Sequence, residues 1–154
     1  AEDEPLPITD TNARLLVPLA RHADLPEEAR QSVTFGVVLQ PDDDVMRLLP
    51  HLEDLALIAV TFPAFSDGRA YSQASLLRER LGFDGELRAV GDVLIDQVPL
   101  MLRCGIDSFA VSHETTIRRL AEGRLPGISA HYQPAATASR ATGSFAWRHV
   151  QEPA

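Results

Sequence analysis

The stretch from Leu55 to Ser112 decides the fold of this chain. It begins with the apolar run LALIAVTFP (55–63) and the polar loop FSDGR (65–69), and continues with GELRAVGD (85–92) and DSFAVS (107–112). Amphipathic segments of helical length follow the loop and the run GELRAVGD. Alternation of short strands with helices is typical of βα units that form a parallel sheet. We therefore expect an α/β fold.

The same pattern extends to both sides of this stretch. Leu15 to Val17 is apolar but is followed by Pro18, so it predicts at most a short or edge strand. The predicted core strands are Val33 to Leu39, Leu55 to Phe62, Glu86 to Val90 and Ser108 to Val111. About four βα units predict a mainly parallel sheet flanked by helices, either a half-barrel or a flavodoxin-like sheet.

The intervening helices are predicted from their apolar periodicity. Asp42 to Asp44 should open a helix that buries Val45, Leu48, Leu49 and Leu52. The next helix should bury Tyr71, Ala74, Leu77 and Leu81 and leave Arg78, Glu79 and Arg80 solvated. Pro99 predicts a kink or a late helix start, and a last helix should carry Ile117, Leu120 and Ala121.

A chain of 154 residues suits one domain. Within it we expect three parts. Residues 1–31 form an extended lead-in with the edge strand and a short helix near Pro26. Residues 32–124 form the parallel α/β core. Residues 125–154 form a short strand over Ile128 to Gln133 and a mobile tail, in which Trp147 either anchors against a partner or the core or, more simply, packs loosely at the surface.

Residue usage excludes several kinds of chemistry. All 14 basic residues are Arg, so a P-loop Lys and a Schiff-base Lys are missing. A single Cys excludes a Cys-rich zinc site or a four-thiolate cluster built from one chain. The chain also lacks the Gly-x-Gly-x-x-Gly fingerprint of dinucleotide binding. We expect no cofactor and no metal.

Charge and hydropathy bound the partners and the location. The formal charge is −8, with 21 acidic residues and 11 Arg in residues 1–122. An acidic body repels phosphate backbones, so we expect no nucleic acid partner. No run reaches the length of a membrane span, and the first residues lack the signal-peptide pattern. We expect a cytoplasmic protein with no membrane contact.

A candidate site is predicted at the carboxyl ends of the strands, where parallel α/β folds bind ligands. The loop from Asp67 to Arg69 and the turn at Gly91 and Asp92 both lie at that edge. Arg88 places a charge within a core strand and needs a partner, which we expect to be Asp67 or Asp92. Such a pair either forms part of a site or only joins neighbouring loops.

Two further side chains have alternative interpretations. Cys104 is expected to be a small buried hydrophobe rather than a nucleophile, because the sequence suggests no adjacent base. His113 could act as a general acid or base, although an exposed residue in the first turn of a helix is the simpler interpretation.

Several motifs resemble those of one bacterial family. They are FPxFxDGRxYS (62–72), LLR (76–78), GELRAVGDVL (85–94), DQ (96–97) and RCG (103–105). Together they resemble the domain of unknown function 934 family, specifically through Leu57 to Phe109. The resemblance implies a protein encoded beside sulfite reductase and commonly described as a probable oxidoreductase involved in sulfite reduction. The family motif falls on ten candidate binding residues: Phe65, Asp67, Gly68, Arg69, Arg88, Gly91, Asp92, Asp96, Gln97 and Arg103.

Two functions are compatible with these residues. The first is an accessory protein of assimilatory sulfite reduction that acts with or on sulfite reductase and carries no redox cofactor itself. The second is a small enzyme or anion-binding protein that uses an Arg/Asp cluster at the carboxyl edge. A half-barrel also leaves strand edges that a second copy could cover, so we expect a homodimer.

Overall fold

Five parallel strands form a single sheet in consecutive order. The computed structural model describes residues 15–26, 35–123 and 125–126. The strands are β1 (Leu15–Pro18), β2 (Phe35–Leu39), β3 (Leu57–Phe62), β4 (Glu86–Gly91) and β5 (Ser108–Phe109). The α/β fold is confirmed, and the expected edge strand is β1, which among the described strands pairs with β2 alone.

Helices of three kinds connect the strands. The α-helices are α1 (Leu19–His22), α2 (Arg69–Ser75), α3 (Val98–Arg103) and α4 (Glu114–Ala121). A π-helical turn (Leu76–Arg80) continues α2, and 3₁₀ helices span Val45–Asp54 and Ile95–Gln97. None of the described helices is long and apolar enough to cross a membrane.

The consecutive strand order places the helices on one face of the sheet. Right-handed crossovers between neighbouring parallel strands return on the same side each time. The packing agrees, because Val60 and Leu87 from the sheet share one core with helical residues such as Leu48, Ala74 and Met101. This order is that of strands in a βα barrel and differs from the 2-1-3-4-5 order of flavodoxin-like sheets.

The opposite face of the sheet carries a second, smaller apolar cluster. It consists of Leu16, Val38, Leu57, Ala59 and Val90, and it includes no residue of the described helices. Since side chains alternate along a strand, Leu87 and Ala89 face the helices whereas Val90 faces away. The side chains of β4 therefore alternate between the two faces of the sheet.

The helix after β2 differs from the prediction. It begins at Val45, with the Asp44 side chain accepting a hydrogen bond from the Met46 amide (2.9 Å), and it is a 3₁₀ helix throughout. Leu49 was expected to be buried, but it is 51% exposed. A 3₁₀ helix repeats every three residues, so Val45 and Leu48 project from its buried side, whereas Leu49 projects about 120° away from them and is exposed.

Two helices near the end of the described region test further predictions. Pro99 lies in the first turn of α3, which begins only after the 3₁₀ turn, so the late start is confirmed. In α4 the expected core residue Ile117 is largely exposed, while Thr116 is buried instead. The predicted strand at Ile128–Gln133, the Trp147 contact and Glu27–Glu28 of the short helix lie outside the described residues.

Arg78 was expected to be solvated, but it is a mostly buried hub at the amino end of β4 and β5. Its Nε donates to the Gly105 carbonyl (2.8 Å), and its Nη1 donates to the carbonyls of Phe83 and Gly85 (2.8 Å for Gly85). Its Nη2 forms an ion pair with Asp107, which also accepts a hydrogen bond from the Leu87 amide (3.0 Å). One guanidinium therefore supplies hydrogen bonds to backbone carbonyls in both of the loops that lead into β4 and β5.

The backbone around Arg78 is adapted to this contact. Gly105 has φ +92°, a conformation that L side chains rarely adopt, and a Cβ there would overlap the aliphatic part of Arg78. Arg78 itself lies in the π-helical turn, and its guanidinium stacks 5.5 Å from the centre of the Phe83 ring. A rare helical geometry thus coincides with the main polar contact of the fold.

We predict that Arg78→Ala lowers the free energy of unfolding by about 2–4 kcal/mol, because three carbonyls and a carboxylate lose their donor. Urea denaturation followed by circular dichroism measures the change. Arg80→Ala is the matched control, since Arg80 is exposed on the same turn and should cost less than about 0.5 kcal/mol. Equal effects of the two substitutions would contradict the role of Arg78.

Candidate functional site

The loops that follow β2, β3, β4 and β5 meet at one end of the sheet, since all of these strands are parallel. We call this surface the carboxyl edge; it consists of residues 40–44, 63–69, 91–97 and 110–113. It contains eight of the ten candidate residues: Phe65, Asp67, Gly68, Arg69, Gly91, Asp92, Asp96 and Gln97.

Asp67 and Arg69 form a two-pronged ion pair at the start of α2. The Asp67 carboxylate accepts hydrogen bonds from Nε (3.0 Å) and Nη2 (2.7 Å) of Arg69, and from the Arg69 backbone amide (3.1 Å). These hydrogen bonds hold the pKa of Asp67 below its ordinary value, and the same carboxylate raises the pKa of Arg69. Asp67 is therefore ionised whenever the loop is folded at neutral pH.

The remaining nitrogen of this guanidinium reaches the neighbouring loop. Nη1 of Arg69 forms an ion pair with Oδ1 of Asp42, which follows β2. The Arg69 side chain is 53% exposed and that of Asp42 is 86% exposed, whereas that of Asp67 is only 15% exposed. All three guanidinium nitrogens thus point at carboxylates, and the positive charge is offset within the protein.

Gln73 lies in α2, directly after the loop of Asp67 and Arg69, and connects this helix to the loop after β2. Its side-chain Nε2 donates to the carbonyls of Gln40 (2.8 Å) and Asp43 (3.2 Å), and the residue is buried. Sequence reasoning missed this residue. The available signal was its position between Ala70 and Ala74 on the buried stripe of α2, where an amide needs hydrogen-bond partners.

Gln97 connects the loops after β3 and β4. Its Oε1 accepts from the Leu94 amide (3.3 Å), and its Nε2 donates to the Phe65 carbonyl (3.2 Å). The two loops also approach at Gly91, where φ is +95° and a Cβ would overlap the Phe62 carbonyl oxygen. The buried amide of Gln97 therefore fixes the backbone of Phe65, whose ring is 61% exposed.

Asp92 pairs with His113 at the far end of this surface. Oδ1 of Asp92 lies 3.0 Å from Nε2 of His113, which immediately precedes α4. No partner for His113 was predicted from sequence, and the fold supplies one because β4 and β5 are neighbours. A carboxylate beside an imidazole can hold that ring in one orientation, the arrangement that general acids and bases use.

The expected partner of Arg88 was wrong. Among the described residues, Arg88 forms its salt bridge with Glu86 (Nη2 to Oε1, 2.6 Å) and not with Asp67 or Asp92. Ser108 donates to the same Glu86 oxygen (2.6 Å). The physical reason is that side chains two residues apart project from the same face of a strand, whereas both expected carboxylates lie beyond the strand ends.

Arg103 also lies away from the carboxyl edge. It ends α3, which starts after β4 and runs back towards the amino end of β5. The fold therefore separates the two candidates Arg88 and Arg103 from the other eight. Their described positions are in the sheet and at the end of a helix, respectively.

Cys104 lines a shallow groove of about 470 Å³ between the outer surfaces of α2, its π-helical turn and α3. Burial raises the pKa of the Cys104 thiol and also that of the Tyr71 hydroxyl beside it. A thiol with a raised pKa stays protonated at neutral pH and is a poor nucleophile. The interpretation of Cys104 as a small, largely buried side chain fits this environment.

The carboxyl edge is strongly acidic as a whole. Its carboxylates outnumber its guanidinium by six to one, with Arg69 the sole Arg in these loops; the acids are Asp42, Asp43, Asp44, Asp67, Asp92 and Asp96. Asp43 and Asp44 each accept a hydrogen bond from a nearby backbone amide. Within the described ranges, no group of three or more His, Cys, Asp or Glu side chains is arranged to hold a metal ion.

We predict that Arg69→Gln raises the pKa of Asp67 towards its ordinary value of 3.8. The pKa of Asp67 is lowered in the folded wild type, so its ion pair with Arg69 stabilises the folded chain at pH values above the ordinary pKa of 3.8. This contribution is lost as pH falls through the lower pKa of the folded state. Carboxyl ¹³C NMR titration measures the pKa directly. Arg80→Gln is the control and should leave Asp67 unchanged; an Asp67 that titrates at 3.8 or above in the wild type would contradict the ion pair.

Comparison with known proteins places the chain in a family. No relative was found among curated proteins. Residues 36–142 match the family model described as bacterial protein of unknown function, DUF934. The match spans β2 to α4 and includes every candidate residue of the carboxyl edge. The chain therefore belongs to the DUF934 family, as its motifs indicated.

Proposed function

We propose that this chain is an accessory protein of assimilatory sulfite reduction, which works in the cytoplasm by contact with sulfite reductase and carries no redox cofactor. The pathway comes from the family resemblance in the motifs between Leu57 and Phe109. Contact with another protein, rather than turnover of a small anion, is supported by the state of Arg69 at the carboxyl edge.

The observation that carries this proposal is that all three nitrogens of the Arg69 guanidinium already contact carboxylates. An anion such as sulfite needs free hydrogen-bond donors and a positive potential. The Arg69 guanidinium already donates to Asp67 and pairs with Asp42, and the surrounding loops are acidic. A sulfur oxyanion would have to displace two carboxylates in a negative field. The carboxyl edge therefore suits a cationic protein surface better than it suits an anion.

A second candidate function rests on Asp92 and His113. Their 3.0 Å contact supplies an oriented imidazole, which is one component of a small enzyme that uses general acid–base catalysis. Both side chains are partly exposed, at 37% and 49% respectively, so this pair would act on a substrate bound at an open surface. Turnover by the isolated chain that is lost in His113→Gln would favour this function over the accessory role.

The test of the accessory role is co-purification from the native host. We predict that the tagged chain recovers sulfite reductase, identified by mass spectrometry and by the reductase's own absorbance, and that the two purified proteins co-elute in size-exclusion chromatography. The isolated chain should show no sulfite binding tighter than millimolar by calorimetry. Failure of the purified proteins to associate, or micromolar binding of sulfite, would overturn the proposal.

We also propose that the chain forms a homodimer through its sheet edges. Among the described strands, those at the two edges of the sheet are β1, of four residues, and β5, of two residues. Unpaired strand edges are surfaces that a symmetric partner can cover. This contact leaves the carboxyl edge free.

We predict that multi-angle light scattering gives twice the mass of one chain at micromolar concentration. The measurement should be repeated in 0.5 M salt, because contacts through strand edges depend on backbone hydrogen bonds rather than on screened surface charges. A monomer mass at both ionic strengths would contradict the dimer.

A further inference from the structure

We propose that the Phe65 ring is the anchor by which the carboxyl edge docks on its partner, and that the partner offers an apolar cavity bordered by Arg and Lys side chains. This inference rests on the proposed function and specifies the chemistry of the contact. It concerns one occupant, the surface of a different protein.

The exposure of Phe65 is built into the loop. Its ring is 61% exposed, while its carbonyl accepts a hydrogen bond from the buried amide of Gln97 (3.2 Å). Further along the same loop, the Asp67 amide donates to the Ala64 carbonyl (3.0 Å), and the carboxylate of Asp67 accepts hydrogen bonds from the Arg69 guanidinium. Both sides of Phe65 are thus held to the fold.

A fixed loop makes an exposed aromatic residue an efficient anchor. Burying a phenyl ring is favourable through the hydrophobic effect, and less of this gain is lost to ordering when the backbone is already held in place. Aromatic residues are also enriched among the few positions that dominate binding energy. Among the described large apolar side chains, Phe65 has the greatest exposed fraction.

The charges around Phe65 determine the kind of surface that it meets. Asp42, beside the Phe65 loop, is 86% exposed, and Asp96 is exposed next to the Gln97 that holds Phe65. The single guanidinium nearby is already offset by Asp67 and Asp42. A partner that covers this area must bring positive charge to it, since like charges across an interface are unfavourable.

The same charges exclude three other occupants. A second copy of this chain would bring six carboxylates against six if it docked symmetrically through the same edge. Nucleic acids and anionic lipid surfaces carry negative charge as well. A different protein with a basic rim and an apolar cavity is the occupant that fits both the ring and the charges.

The experiment measures binding of purified sulfite reductase to the full chain by biolayer interferometry. Phe65→Ala should weaken the affinity roughly 10- to 100-fold, mainly through faster dissociation. Leu100→Ala is the matched control, because Leu100 is also exposed (41%) but lies on the outer surface of α3, and it should change affinity less than about threefold. Thermal unfolding should be nearly unchanged in both variants, since neither side chain is part of the core.

A second pair of variants tests the charge. Asp96→Lys should slow association and reduce its dependence on salt, whereas Glu53→Lys, exposed at the opposite end of the sheet, should not. If the wild type binds the reductase but Phe65→Ala binds it with equal affinity, or Asp96→Lys has no effect on association, this inference is overturned and the proposed function stays intact. No binding by the wild type overturns the proposed function and this inference with it.

Discussion

The consecutive order of parallel strands is the constraint on which the rest of the structure depends. Because each crossover returns on the same side, the helices cover one face, and the loops after neighbouring strands become neighbours at one end. Asp42 and Arg69 are far apart in sequence, yet their side chains form an ion pair because they follow neighbouring strands of the sheet. Their proximity is a result of topology rather than of any local motif.

The arginines of this lysine-free chain perform different tasks that depend on their position in that topology. Arg78 is mostly buried and satisfies backbone carbonyls, so its removal affects the folded state. Arg69 is half exposed and pairs with carboxylates that water would otherwise hydrate, so it contributes little to stability and mainly shapes a surface. Arg88 is held by Glu86 on the face opposite the helices.

The strands and the end of the sheet at which the polar loops gather could be predicted from sequence, whereas most of the side-chain pairings could not. Continuous apolar runs define strands such as Leu57–Phe62, and the rule for parallel sheets then indicates the edge at which polar loops gather. Which carboxylate meets which Arg depends on geometry that periodicity does not encode. Arg88 pairs with Glu86, two residues away in the same strand. Arg78 reaches backbone carbonyls because it lies in a π-helical turn and because Gly105 has no side chain to block it. The burial of Thr116 instead of Ile117 likewise depends on the rotation of α4 about its axis.

The position of Arg78 at the amino end of the sheet has a consequence for substitutions at the opposite end. Its contacts with Gly85, Gly105 and Asp107 stabilise the two strands from the end opposite to the Phe65 loop. Substitutions in that loop therefore leave the main polar support of the sheet intact. Any change of Phe65 would therefore be limited by what this surface contacts and not by the stability of the sheet.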